Sequence, residues 1–304
     1  MSVLNTEEFL KHATEQRYAL CAYNVDTLDY IRAVVEAAEE EQAPIIIETI
    51  EQAIEAMGLQ CFSRVARQMA EEASVPVGIH LDHGSSLDWV KACLDAGFTS
   101  VMIDASHKPL KDNILITREV VRLAEKYGAF TEGEIGHVPG IEERSEGPQS
   151  DLVYTEPEEA AAYCRESGVQ SLAVSIGTVH YMKKQPLKLD FHLLDRIRNV
   201  VQVPLVLHGG AAVTDADMRT AVEHGIVKYN IAYKGFKAYL AGLERGLKDM
   251  KEEILPGKLF VFPSEVIRAG VKSAKEEIRS KIRLLGGNGK AGHLRNGGFS
   301  GRAQ

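Results

Sequence analysis

The chain has 304 residues, 45% of them hydrophobic and 26% charged, enough apolar material for one large α/β barrel or two ordinary domains. A formal net charge of -8 and no long basic run in the body argue against nucleic acid or an anionic membrane surface as partner. No run approaches the roughly 20 apolar residues of a membrane span, and the opening MSVLNTEEFLKHATEQ is too polar and acidic for a signal peptide, so a cytoplasmic location is expected.

A starting helix is predicted near residues 5 to 16, and from there short β-branched runs alternate with amphipathic stretches. ALCAYN (19 to 24) precedes TLDYIRAVVEAAEEEQ, PIIIE (44 to 48) precedes CFSRVARQMAEEA, and VGIHLD (77 to 82) precedes LDWVKACLDAG. SVMID (100 to 104) precedes NILITREVVRLAEKYG, FTEGEI (130 to 135) precedes EPEEAAAYCRESG, and SLAVSI (171 to 176) precedes FHLLDRIRNV. PLVLH (204 to 208) precedes DADMRTAVEHG, and VKYNI (227 to 231) is the eighth strand. Gly97, Gly128, Gly168 and Gly225 stand where helices should stop, since glycine enters the left-handed C-cap conformation cheaply.

Eight βα units predict a TIM (β/α)8 barrel in a single domain over residues 1 to 285, with an N-terminal helix and a C-terminal helical extension from Phe262 to Leu285. A doubly wound sheet is the rival, but no G-x-G-x-x-G follows the first strand. The Gly-, Pro- and acid-rich stretch from 136 to 156 reads as a lid or an insert, and the glycine-rich basic segment 286 to 304 as a flexible tail. Cys21, Cys61, Cys93 and Cys164 show no paired spacing and read as reduced core thiols; Trp89, at helical spacing from its apolar neighbours, reads as packing.

Active sites of this fold collect at the C-terminal ends of the strands. Nearly every predicted exit carries a polar group: Asn24, Glu48, Asp82 with His83, Asp104, Glu132 with Glu134, His180, His208 and Asn230. Any one of these is most simply a loop-start polar residue or a satisfied histidine, but solvation alone does not readily give such a ring. Three histidines converging on one barrel mouth suit a catalytic metal with an open position. Glu132 and Glu134, at alternate positions of one strand, share a face of the sheet.

The segments LDHG, GFTSVMIDASH, E-x-E-x-G, IGTVH, VPLVLHGG and K-x-N, in this order over roughly residues 5 to 285, resemble the class II, metal-dependent fructose- and tagatose-bisphosphate aldolases. The resemblance implies that His83, His180 and His208 hold Zn²⁺, that Glu134 offers an alternative metal contact, and that Asp104 is linked to a second cation. It makes Asp82 the acid that moves the hydroxyl proton. Glu142, in Pro139-Gly140-Ile141-Glu142-Glu143 where the family has G-G-x-E-D, becomes the residue that exchanges a proton with carbon. Asn230 falls near the enediolate and Asn24 on a first-strand substrate contact. No lysine Schiff base is needed, and homodimers or homotetramers acting on a small sugar are expected.

Three positions depart from the family in the region that receives the donor phosphate. Tyr181 follows His180 where glycine is usual, Ala211 stands after Gly209 and Gly210 where a serine is usual, and Ala232-Tyr233 replaces an acid and a threonine. Glu48 replaces a neutral residue and is expected to repel a phosphate. A recast specificity shell beside an intact metal centre follows: an aldolase for a ketose or ketose phosphate of non-standard kind. Alternatively Lys234, Lys183 or Lys184 replaces the lost donors and an ordinary tagatose or fructose 1,6-bisphosphate is cleaved to dihydroxyacetone phosphate and glyceraldehyde 3-phosphate. A non-catalytic accessory subunit is the reading from another class.

Overall fold

All eight expected strands form in the computed structural model, which describes residues 6–139, 152–180, 188–251 and 262–296. They are β1 (Leu20–Asn24), β2 (Ile45–Thr49), β3 (Val77–Gly84), β4 (Ser100–Ile103), β5 (Phe130–Ile135), β6 (Ser171–Val174), β7 (Leu205–Leu207) and β8 (Ile226–Ile231). Each pairs in parallel with the next, and β8 returns to β1, so the sheet closes into a TIM barrel.

Helix α1 (Thr6–Gln16) precedes β1, and α2 (Leu28–Glu40), α4 (Leu59–Glu72), α5 (Leu87–Asp95), α6 (Leu110–Glu125), α7 (Pro157–Ser167), α8 (Phe191–Val200), α9 (Asp215–Glu223) and α10 (Tyr233–Asp249) follow successive strands. Thr27, Ser86, Asp190 and Thr214 begin four of these by accepting a hydrogen bond from a first-turn N–H. A short α3 (Glu51–Met57) precedes α4, and the chain continues through α11 (Pro263–Leu284) to α12 (Ala291–Asn296). Three glycines in α10, at 235, 242 and 246, mask it in the sequence; close packing, of Gly242 and Gly246 against α11 and of Gly235 against Tyr23 and Tyr30, overrides their poor helix propensity. Among the described residues no helix is long and apolar enough to cross a membrane.

Strand alternation divides the barrel into two environments. Odd-numbered side chains of β1 to β5 and β8, such as Tyr23, Ile47, Ile79, Val101, Ile135 and Tyr229, join the main core against the helices. Even-numbered ones turn inward. Near the bottom these are Ala22, Ile46 and Phe130, packed with Phe9, Leu10 and Ala13 of α1 as a plug. Higher up they are polar: Asn24, Glu48, His80, Asp82, Ser100, Glu132, Lys228 and Asn230, all under a tenth exposed.

Two expectations change here. Residues 286–296 fold against the barrel instead of lying free: Gly289 and Ala291 donate backbone hydrogen bonds to Glu41 and Gln42, and Ala291 and Leu294 are buried. Residues 297–304 lie outside the described residues. All four cysteines are free, but only Cys21 and Cys93 are buried; Cys164 is half-buried and Cys61 exposed.

Glu41, just after α2, ties the barrel to α11. Its carboxylate accepts from Arg283 Nε at 2.7 Å and Nη2 at 2.6 Å and from Arg279 Nε at 2.7 Å. The hydrogen bond from Arg283 holds the carboxyl below its ordinary pKa; burial opposes, and Arg279 adds to the lowering. A carboxylate with a depressed folded-state pKa stabilises above its unfolded value and stops doing so as pH falls through the folded value. Discounted for the exposure of the arginines, Glu41→Gln is expected to cost about 1–2 kcal/mol at neutral pH. Denaturant unfolding should show that gap narrowing below a pH of about 4; a gap independent of pH would assign the loss to packing.

Candidate metal centre and active site

The three histidines meet at the C-terminal mouth, each brought by a different device. Asp82 is an inward position of β3, so its neighbour His83 would ordinarily point outward. Instead His83 adopts φ 47°, in the left-handed region, and β3 shifts register against β4 between Leu81 and Gly84. This local bulge turns His83 to the mouth, with its Nε2 3.8 Å from Asp82 Oδ1. His208 directly follows β7 and continues its inward face. His180 is not at a strand end: β6 stops at Val174, and His180 lies six residues farther along the loop, its N–H donating to Pro139 O at 2.9 Å. Gly209 permits this approach, since at φ 72° a Cβ would stand 2.8 Å from the Val179 backbone.

The outer nitrogens of two rings are held by carboxylates and the inner ones converge. His83 Nδ1 lies 2.6 Å from Asp104 Oδ2, and His208 Nε2 lies 2.9 Å from Glu132 Oε1. His83 Nε2 and His208 Nδ1 are then 3.0 Å apart. His180 Nε2 is sealed from solvent and has no hydrogen-bond partner among the described residues. Glu134 Oε2, 3.3 Å from His208 Nδ1, is likewise buried without an aligned bond, while its Oε1 accepts from Val138 N–H. Nitrogens about 2.0–2.1 Å from a tetrahedral zinc stand roughly 3.3 Å apart, so the convergent, partly orphaned donors fit such an ion. His83, His180 and His208 thus form a group able to hold a metal, and His83, Asp104 and Glu134 form a second, overlapping one.

The charges are strongly coupled. Burial disfavours the charged forms of His83 and His208, but Asp82 with Asp104, and Glu132 with Glu134, outweigh it and push the two rings up to about 9 and about 10. Burial, reinforced by those two cations, drives His180 well below the ordinary imidazole value. Asp82 falls to about 2, because His83, His208 and Lys228 overcome its burial. Asp104 is lowered against its burial by His83 and Ser106.

Asp82 is clamped from both sides: Asn24 Nδ2 donates to its Oδ2 at 2.8 Å and Asn230 Nδ2 to its Oδ1 at 2.9 Å. Asp82, Asn24, Asn230 and His180 line a cavity of about 440 Å³ whose remaining wall includes Gly209, Gly210, Ala211, Tyr233 and Lys234. Tyr233 heads α10 and is 42% exposed. Glu48 is not part of that wall. It is fully buried in the layer below, hydrogen-bonded by Asn24 Nδ2 at 2.9 Å and 3.5 Å from Lys228 Nζ. Burial first, then the nearby Asp82 charge, raises its pKa well above the carboxylate range, which favours a neutral acid. Asp104 touches Ser106 and His83 on the outer side of the triad. Glu142, Tyr181, Lys183 and Lys184 lie outside the described residues.

Lys228 and His80, both buried in the barrel and both on even positions of their strands, received no role from the motifs. Alternation with Asn230 and Asp82 is the signal that places them inside.

A closed parallel barrel with three imidazoles and their carboxylates gathered at its C-terminal mouth has the architecture of a barrel enzyme, with a group of side chains there able to hold a metal ion. The profile of the family Fructose-bisphosphate aldolase class-II matches residues 4–290. A fructose-bisphosphate aldolase from Geobacillus stearothermophilus is 35% identical over 294 residues, covering 96% of this chain and 99% of that protein. One from Staphylococcus aureus strain Mu50 is 34% identical, covering 96% and 100%. The crystal structure of the YdjI aldolase from Escherichia coli K12 superposes with a TM-score of 0.82 at 32% identity, covering 95% of this chain and 100% of that one. The chain belongs to the class II fructose-bisphosphate aldolase family, a family of lyases.

Proposed function

We propose that the protein is a zinc-dependent aldolase that reversibly splits a ketose phosphate beside its ketone. The convergence of His83 Nε2, His208 Nδ1 and the unpartnered His180 Nε2 above the clamped Asp82 carries this reading. A zinc ion held by the three histidines, with Glu134 in reserve, would stabilise the negative charge that develops on the ketone oxygen as the carbon–carbon bond breaks. Asp104 and Glu132 orient the rings of His83 and His208.

Asp82 takes the proton of the substrate hydroxyl in cleavage and returns it in synthesis. Its depressed pKa keeps it ionised at neutral pH, and two amide N–H donors fix its direction. Asn24 lines the cavity and its Oδ1 has no hydrogen-bond partner among the described residues, which supports its accepting from a substrate hydroxyl. Glu142 is assigned the proton exchange at carbon on the strength of its motif alone.

For the donor half, Lys234 supports a phosphate. Among the described residues it is the only lysine or arginine lining the cavity, beside Gly210 and Ala211. Its ammonium is anchored by Val213 O at 2.8 Å, with Asp215 at 3.6 Å. Ala211, Ala232 and Tyr233 lack the donors usual at this place, which favours a second reading in which the donor half carries no phosphate. The doubly clamped, ionised Asp82 beside the convergent ligand atoms favours an enzyme over a non-catalytic accessory subunit. A homodimer or homotetramer is part of the proposal.

Steady-state cleavage of fructose and tagatose 1,6-bisphosphates, ketose 1-phosphates and unphosphorylated ketoses tests it. Losing a charge-assisted hydrogen bond of about 1.5–3 kcal/mol, Lys234→Met should lower kcat/KM about 10- to 150-fold on 1-phosphorylated substrates, mainly through KM. Equal rates on unphosphorylated ketoses, with Lys234→Met silent, would establish the second reading instead.

A further inference from the structure

Lys228 takes no part in the chemistry proposed so far, yet it is 1% exposed at the centre of the barrel. Its ammonium has three donors and no acceptor, and three groups surround it: Asn230 Oδ1 at 2.8 Å, Glu132 Oε2 at 3.1 Å and Glu48 Oε2 at 3.5 Å. Each leads to the active site. Asn230 donates to Asp82 Oδ1, Glu132 pairs with His208 Nε2, and Glu48 accepts from Asn24, which donates to Asp82 Oδ2.

We infer that Lys228 is a positioning residue that fixes the amide of Asn230, and through it the orientation of Asp82, while holding Glu132 against His208. The inference rests on the aldolase reading. Asparagine can present either end of its amide, but a group that only donates accepts no approach except from the oxygen. Lys228 therefore locks Oδ1 toward itself and leaves Nδ2 for the Asp82 carboxylate. Lys228 and Asn230 are alternate residues of β8, so a short strand segment suffices to bring both inward. Asp82, a carboxylate that only accepts, selects Nδ2 from the other side, so without the ammonium the amide would be held at one end only and would be free to swing relative to Asp82. A buried ion pair with Glu132 that served the fold alone would have no need of the contact to Asn230.

Lys228→Met alone leaves the Glu132 charge in the core without its cation and endangers the fold. The informative protein therefore combines it with Glu132→Gln, in which the introduced amide oxygen still accepts from His208. Two quantities are read beside metal content: steady-state kinetics, and hydrogen exchange of the Asn230 side-chain amide in ¹⁵N-asparagine-labelled protein, assigned with Asn230→Ala. The expected result, measured against Glu132→Gln alone, is a normally metallated protein whose KM stays within about threefold, whose kcat falls more than about tenfold, and whose Asn230 amide loses protection. Adding Asn230→Ala should then cost less than about threefold more, because both changes act on one contact. A smaller fall in kcat, retained amide protection, loss of the metal, or a full multiplicative loss on adding Asn230→Ala would each overturn the inference. A wild-type protein that cleaves no ketose would defeat the aldolase reading instead, and the amide measurement, which needs no turnover, would still decide the role of Lys228.

Discussion

Asp82→Asn is expected to lower kcat for ketose cleavage by about 10²–10⁴-fold, the usual worth of a positioned general acid–base group. The carboxylate sits where its neighbours keep it ionised, with one amide N–H on each oxygen. An asparagine there preserves size and one of the two hydrogen bonds but cannot take a proton. Because Asp82 is not among the convergent ligands, metal content should stay at the wild-type level, and stability should fall by only about 1–2 kcal/mol for the lost hydrogen bond. Rate, metal content and melting temperature measured on one preparation separate these effects. A variant retaining more than a tenth of wild-type kcat, or one that loses its metal, would remove Asp82 from the proton-transfer role.

His208→Ala should be more damaging still. It removes one convergent nitrogen and at the same time leaves Glu132 and Glu134 without the imidazole between them. Removing an outer partner alone commonly costs 10–100-fold in metal affinity or activity, so loss of the ligand itself is expected to exceed about a hundredfold in affinity. Activity should approach background at stoichiometric metal and recover only in part at high metal concentration. Affinity measured by chelator competition checks this directly; unchanged affinity would show that the ion, if bound, sits elsewhere.

Much of this architecture was legible in the sequence because a parallel barrel buried on both faces writes its strands as short apolar runs. The polar residues that interrupt those runs, Asp82 and Glu132 among them, are inward positions near the barrel mouth, and alternation alone puts them on one face. Alternation fails at His83, which reaches the mouth only through a left-handed backbone and a bulge that no residue type announces. It also gives no guide to His180, placed by a loop crossing rather than a strand end.

Glu48 lies below the cavity for a related reason. An inward residue near a strand end reads as a pocket wall, but the barrel interior is deep enough to hold a polar layer beneath the cavity floor. Lys228, the lysine of K-x-N, carries no expected role because lysine is by default a surface residue. The four-carbon stem and ammonium that suit it to solvent also suit it to a buried hub that donates to Asn230 and Glu132 and lies beside Glu48. The glycines from 286 onward suggest a flexible tail, where backbone hydrogen bonds to Glu41 and Gln42 hold residues 286–296 in place.

The most direct test of the whole account is metal dependence in the purified wild-type protein. Elemental analysis should find close to one tightly held zinc per chain; stripping it with a chelator should abolish ketose cleavage, and adding zinc back should restore it. Undiminished turnover by the stripped protein would contradict the account at its base.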